Sequence, residues 1–356
     1  MGQGAADRES EVRAAFARQA DWCARLGSPF TSLLCRTLGD KLDRGTDLGR
    51  RVLGWPGKPD ALHDSVPLRL CGGLNALVRA GHLPGLAALY PPNPPPDPDR
   101  LWPALRDAMG AAEGELLPWL DLPPQTNEVA RSAVLTAGLA VVAAETGLPL
   151  SLYELGASAG LNLLLDRYDI RLGAQRRYGD PASAVKLAPD WQGGDPPEAE
   201  ITIGDRRGVD MSPIDVTDAQ ARDRLLAYLW PDQAQRVARL EAALAIAAES
   251  PPAVAEGDAA AWLEAELGDA AEPGVVRVVL HSIAFQYFPS ETQERIARHL
   301  ERVGASASPE APVAWLRYEL EQLRGSPSLR LRLWPGGEDR LLAHADPHAR
   351  AVEWIA

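Results

Sequence analysis

At 356 residues the chain can bury a large core, in two domains or in one large one. A formal net charge of -13 and a sequence pI near 5.0 argue against nucleic acid as a partner, because phosphate binding relies on Lys and Arg. The N-terminus lacks the apolar core of a signal peptide, and the longest apolar stretch, residues 133–144, is too short to cross a bilayer, so a cytoplasmic protein without a membrane partner is expected.

The first 147 or so residues predict helices and no strand. In residues 9–26 the apolar positions Val12, Phe16, Cys23 and Leu26 share one helical face, and Gly27 is a stop; residues 30–42 and 68–80 repeat the pattern. Cys23, Cys35 and Cys71 are odd in number and have no metal-ligand spacing, so they read as reduced core thiols. The proline run at 91–98 can neither be helical nor pair as a strand, and it reads as a stiff surface connector. A helix is expected from about residue 125, with Thr126 as N-cap and Val129, Ala133, Ala137, Ala140, Val141 and Ala144 as its stripe; Gly147 and Pro149 end it. Its polar start, Gln125, Asn127, Glu128 and Arg131, is expected to line a substrate site, with a solvated first turn as the alternative.

An apolar run from Leu150 then ends on Glu154 and is followed by Gly156, Ala157, Ser158, Ala159 and Gly160 before Leu161 and Asn162: strand, tight turn, helix. Small residues let a ligand approach the backbone, and amides at the next helix start favour a negative group. The series Glu154, Gly156, Ser158, Gly160 resembles the first motif of class I S-adenosylmethionine (SAM) dependent methyltransferases, with Ser158 where Gly is usual. The same five residues also match Gly-x-Ser-x-Gly, the nucleophile elbow of α/β-hydrolases, with Ser158 as nucleophile.

Residues 169–197 read as an inserted hairpin segment. Asp210 then stands where the second methyltransferase motif places the acid that accepts from the ribose diol, with Asp180 and Asp205 as substitutes. Residues 217–250 predict two helices broken at Pro231, where Trp230, Asp232 and Gln233 put an aromatic ring beside two polar groups, a common pocket lining. Gly257-Asp258-Ala259 ends a short strand; by the resemblance Asp258 accepts from the adenine amino group and the Ala259 amide donates to the ring.

The clearest buried strand, residues 275–280, ends in His281 and Ser282, which fold logic aims, with Tyr287, at a site beyond the strand ends. A fifth strand, residues 313–317, brings Tyr318 and Glu319 to the same edge, and the last segments look antiparallel. His344 and His348 flank Asp346, but Pro347 prevents the helix that would align them, so no metal site is expected.

Pro124 to Val129, the Glu154 to Asn162 phrase, Trp230 to Gln233, His281-Ser282 and Trp334 to Gly337 together resemble the bacterial family filed as domain of unknown function 2332, over most of the chain. That family implies no reaction. The motifs imply a Rossmann-like class I methyltransferase fold at 125–356, with a mostly parallel seven-stranded sheet, an antiparallel C-terminal hairpin and an insertion at about 169–200, behind an all-α lid or substrate domain at 1–124. They imply SAM as cofactor, with Glu154, the Gly156–Gly160 backbone, Asn162, Asp210, Asp258, Ala259, His281 and Ser282 around it. The acceptor is expected to be a small molecule methylated on O or N and held by Gln125, Asn127, Glu128, Arg131, Trp230 and Tyr287. His281 is the first choice of base because its ordinary pKa lies near neutrality, and Tyr287 or Glu319 is the second. The rival readings are a serine hydrolase and a non-catalytic SAM- or nucleoside-binding protein; monomer and homodimer both stay open.

Overall fold

The structure, a computed structural model, describes residues 3–268, 272–321 and 325–356, and divides into two units. One is Met1–Thr126 together with Ala219–Ala238; the other is Asn127–Asp218 with Arg239–Ala356.

The first unit is helical, as its 3.6-residue apolar periodicity dictates. It contains α1 (Gln3–Arg25), α2 (Pro29–Lys41), α3 (Asp47–Leu53), α4 (Val66–Arg79), α5 (Pro84–Ala87), α6 (Pro98–Ala111) and α7 (Glu113–Leu116). Val12, Phe16, Leu34, Leu38, Leu70 and Leu74 are buried in one cluster. Cys23, Cys35 and Cys71 are free and buried, Cys35 Sγ lying 3.7 Å from Cys71 Sγ. Among the described residues no helix is long and apolar enough to cross a membrane.

Residues 219–238, expected within the α/β domain, belong instead to this helical unit. Trp230 packs on Cys23, Leu26 and Trp22. Asp232 accepts from the Phe30 amide at 2.8 Å and from the Ser28 hydroxyl, and Gln233 Nε2 donates to the Leu26 carbonyl at 2.9 Å. The Trp230–Gln233 segment thus closes the turn before α2, where Ser28 itself makes no side-chain cap. Its aromatic and polar side chains are spent on that clasp.

The second unit opens with α8 (Arg131–Thr146) and β1 (Leu150–Leu155). There follow β2 (Asp169–Leu172), β3 (Arg176–Gly179), β4 (Lys186–Leu187), β5 (Asp190–Gln192) and β6 (Ile203–Asp210). After α9 (Ala219–Ala227) of the helical unit and α10 (Ala234–Glu249) come β7 (Ala253–Glu256), α11 (Ala259–Glu266), β8 (Val276–Ser282), α12 (Ser290–Ala305), β9 (Val313–Glu321), β10 (Ser326–Trp334), β11 (Asp339–Ala345) and β12 (Ala351–Trp354). The main sheet runs β5-β12-β11-β10-β9-β8-β1-β6-β7. From β7 to β9 every neighbour is parallel, and from β9 to β12 every neighbour is antiparallel. The sheet has nine strands where seven were expected, because β12 extends the antiparallel end and the insertion supplies β5 as a parallel edge strand. The rest of the insertion forms a separate sheet, β3-β2-β4.

Helices cover both faces of the parallel part. On one face Tyr153, Leu155, Val279 and Trp315 share a core with Ala260 and Leu263 of α11 and Ile296, Leu300 and Val303 of α12. On the other lies α8, where a Cβ at Gly138 would stand 2.4 Å from Leu316. Residues 132–143 of α8 are buried on every side, so it is a core helix rather than an amphipathic one. It begins at Arg131, not near 125: Ala130 precedes it without a side-chain cap, and the side chains of Asn127 and Glu128 are used elsewhere.

Candidate functional site

The order of the parallel strands reverses between β1 and β8, and in an open α/β sheet the crevice beyond the strand ends at such a reversal is where ligands bind. Glu154 and Leu280 are in register there, and Asp210 is the last residue of β6. The three neighbouring strand tips are tied together. The amides of Gly156 and Ala157 donate to the Val209 carbonyl at 2.9 and 3.0 Å, the Ser158 amide donates to Asp210 Oδ2 at 2.9 Å, and the Gly257 amide donates to the Asp210 carbonyl at 3.0 Å. The glycine turn is thereby anchored to β6, and β7 to β6, in one row.

Gly156 and Gly160 both have left-handed φ, +69° and +68°. Their missing Cβ atoms also make room for protein: a Cβ would lie 2.6 Å from Ala284 Cβ at Gly156 and 2.7 Å from Pro252 Cγ at Gly160. The loop after β8 therefore lies on the glycine turn. Ser158 takes φ +54° without being glycine, and its Oγ is buried with no hydrogen-bond partner.

Alternation along the strands divides the expected site residues between the two faces of the sheet. On the α8 face, Glu154 is 1% exposed and accepts from Asn162 Nδ2 at 2.9 Å through Oε1, while Oε2 has no donor. Burial, with the nearby Asp210 charge adding, pushes the Glu154 carboxyl up to about 8 against the opposing pull of Asn162 and Arg131. Asn162 also donates to Ser282 Oγ at 3.4 Å and accepts from Ser132 Oγ at 3.0 Å. Arg131 Nη1 donates to the Ser282 carbonyl at 3.0 Å and Nε to the Pro347 carbonyl at 3.1 Å. Asn127 Oδ1 receives the Leu161 amide at 3.1 Å, so the segment before α8 supports the turn after β1.

His281 looks the other way. It is fully buried, and its Nε2 accepts from the Trp315 indole at 3.0 Å; an indole N–H can only donate, so the ring proton sits on Nδ1 and goes to Glu319 Oε1 at 2.6 Å. The ring also stacks on Phe285 at 4.8 Å. With both nitrogens bonded, His281 is a fixed strut and has no lone pair for a substrate proton, which corrects its expected role as base. Glu319 Oε1 takes the amides of Ala284 and Phe285 as well, at 3.0 and 3.2 Å. Glu319 thus shapes the loop that covers Gly156, and Ile283 in that loop is held at φ +49°. Tyr287 is 54% exposed on the same loop.

Asp258 departs from its expected place. Its Oδ1 caps α11 through the Ala261 amide at 2.9 Å and its Oδ2 accepts from Thr292 Oγ1 at 3.1 Å, so both oxygens are engaged by the protein; Ala259, buried, is the first residue of that helix. Trp230 and Gln125 belong to the helical unit. Sequence reasoning missed Ser132 and Trp315. Trp315 and Glu319 are an even number of residues apart on β9 and flank Arg317, the register partner of His281, so period-two counting from Glu319 would have found it.

A family model for an uncharacterized protein conserved in bacteria (DUF2332) matches residues 13–354. The chain belongs to the DUF2332 family. Searches of the curated proteins and of the solved structures find no match. In this DUF2332 chain the α8-face network of Glu154, Asn162, Ser132, Ser282 and Arg131 lies beside the stitched tips of β1, β6 and β7.

Proposed function

We propose that this DUF2332 protein binds SAM at the β1/β8 reversal and transfers its methyl group to the oxygen or nitrogen of a small molecule. The parallel strands, numbered from β1, run 3-2-1-4-5, which supports a Rossmann-like core. The observation that carries the reading is the bond from the Ser158 amide to Asp210, because it sets the glycine turn and the ribose-type acid side by side at adjacent strand ends.

The residues fit the cofactor at two of its three parts. Glu154 Oε2 and Ser158 Oγ are buried polar atoms without partners, as a cradle for a polar tail requires. Asp210, on the tip of β6, takes the Ser158 amide on Oδ2 and the Ser212 amide on Oδ1, both at 2.9 Å, and each oxygen keeps a lone pair with which to accept from a sugar hydroxyl. At the base position the Asp258 carboxylate serves its helix cap, Thr292 and, at 3.6 Å, Arg295, so Asp258 is given no contact there. When bound, SAM supplies an electrophilic methyl on sulfonium, which leaves the protein to position the acceptor and exclude water. Glu319 and His281 serve that end by fixing the loop over Gly156, Glu319 Oε2 is buried without a partner, and Tyr287 on the same loop is exposed and can hydrogen-bond an acceptor.

The Ser158 backbone favours the hydrolase as second reading, since a nucleophile elbow holds its serine on such a strained strand-to-helix turn. It ranks behind because Ser158 Oγ meets no imidazole and because α1–α8, not strands, precede β1.

Calorimetry with SAM and its demethylated product, S-adenosylhomocysteine, tests the proposal. Both should bind, and Asp210→Ala should weaken both by at least tenfold. Binding of neither to the intact chain overturns it.

A further inference from the structure

Arg131 is half-buried and carries its charge without a counter-charge in contact. Partial burial pulls its pKa down, and its hydrogen bonds go to two carbonyls, those of Ser282 and Pro347. Among the described residues no carboxylate lies within ion-pair distance of it. Glu128, the strongest negative influence on it, stands 3.5 Å from Arg239 instead, and Glu319 is turned to His281 and two amides. A guanidinium with no carboxylate beside it suits a planar carboxylate or phosphate that it can grip through two N–H groups, and among the described residues Nη2 of Arg131 has no hydrogen-bond partner.

The same small network holds the opposite deficit. Arg131 bonds the carbonyl of Ser282, the Ser282 hydroxyl meets Asn162, and Asn162 bonds Glu154, whose second oxygen is buried without a donor. One cation with no carboxylate in contact and one buried acid with an undonated oxygen, joined through two residues at one strand-end crevice, are complementary to a group that carries a carboxylate and an ammonium on one carbon. A neutral ligand would leave Arg131 without a counter-charge, and a simple anion would leave the buried Glu154 oxygen without a donor.

We propose that Arg131 is a carboxylate-binding residue and that the carboxylate it takes belongs to an α-amino acid group whose ammonium faces Glu154. The group is the amino-acid end of the cofactor or a free amino acid, and the first source rests on the function proposed above. The probes are S-adenosylhomocysteine, 5'-methylthioadenosine, which lacks the amino-acid end, and a panel of L-amino acids beside the matching decarboxylated amines, read by calorimetry and thermal shift on the full chain. Arg131→Gln should weaken S-adenosylhomocysteine by roughly 10- to 100-fold, the worth of a charge-assisted hydrogen bond, and leave methylthioadenosine unchanged. Arg131→Lys, which keeps the charge and loses the fork, should fall between the two. If the intact chain binds neither nucleoside but is stabilised by an amino acid and not by its amine, and Arg131→Gln abolishes that, the SAM reading fails and the amino-acid site stands. Equal losses for both nucleosides would reduce Arg131 to a structural clamp, and unchanged binding of every probe in a folded Arg131→Gln protein would also overturn the proposal.

Discussion

Glu319 Oε1 accepts the Nδ1–H of His281 at 2.6 Å and, with the same oxygen, the amides of Ala284 and Phe285. One carboxylate oxygen therefore fixes an imidazole of β8 and the first turn of the loop that lies on Gly156. Removing it by Glu319→Ala leaves three donors without their acceptor, at a cost of about 2–4 kcal/mol. Urea unfolding should show that loss, and the loop around Phe285 should exchange its amide hydrogens faster. Wild-type exchange there would refute the role given to Glu319.

The raised pKa of Glu154 gives stability a definite dependence on pH. Its carboxyl titrates near 4.5 in the unfolded chain and at about 8 in the folded one, so the folded state holds the proton more tightly. This contribution is complete below pH 4.5 and is lost as pH rises to about 8, at no more than about 1.4 kcal/mol per pH unit. Glu154→Gln, always neutral, should lose that slope; the comparison is made by urea melts at pH 5, 7 and 9. Parallel curves for the two proteins would place the Glu154 pKa near its ordinary value.

Binding of a cation beside Glu154 should draw its carboxyl back toward the ionised form. Calorimetry of S-adenosylhomocysteine near pH 7 should then show proton release, seen as an enthalpy that varies with the ionisation heat of the buffer. Glu154→Gln should remove that variation.

Ser158 is held in the left-handed region, where an L-residue is strained by roughly 1–2 kcal/mol. Ser158→Gly should therefore raise stability by up to about 1 kcal/mol, since glycine's own flexibility offsets part of the relief. A fluorophosphonate should leave Ser158 unlabelled after hours, because its Oγ has no base in contact. Rapid labelling would promote the hydrolase reading.

In the helical unit, Asp232 supplies the acceptor that the turn before α2 lacks. Asp232→Ala should cost about 1–2 kcal/mol, in the range of a lost helix cap, and a thermal melt reads it directly. An unchanged melting temperature would remove the clasp from the account.

The sequence by itself determined the local geometry of the chain. Apolar periodicity gave the N-terminal helices, the acid and small residues from Glu154 to Gly160 gave the strand and turn, and the run ending at Ser282 gave the central strand, because hydrogen-bond geometry and side-chain spacing act over a few residues. What only the tertiary structure decided was which side chains remain available. Strand alternation sends His281 to one face and Ser282 to the other, where neighbours distant in the chain, Trp315 and Asn162, fill their hydrogen-bond positions. Asp258 and Asp232 are likewise claimed by a helix start, whereas Glu154 at the crevice keeps one buried oxygen without a donor. A polar group far from water is satisfied by whatever the fold brings beside it, and that is fixed by packing between distant segments.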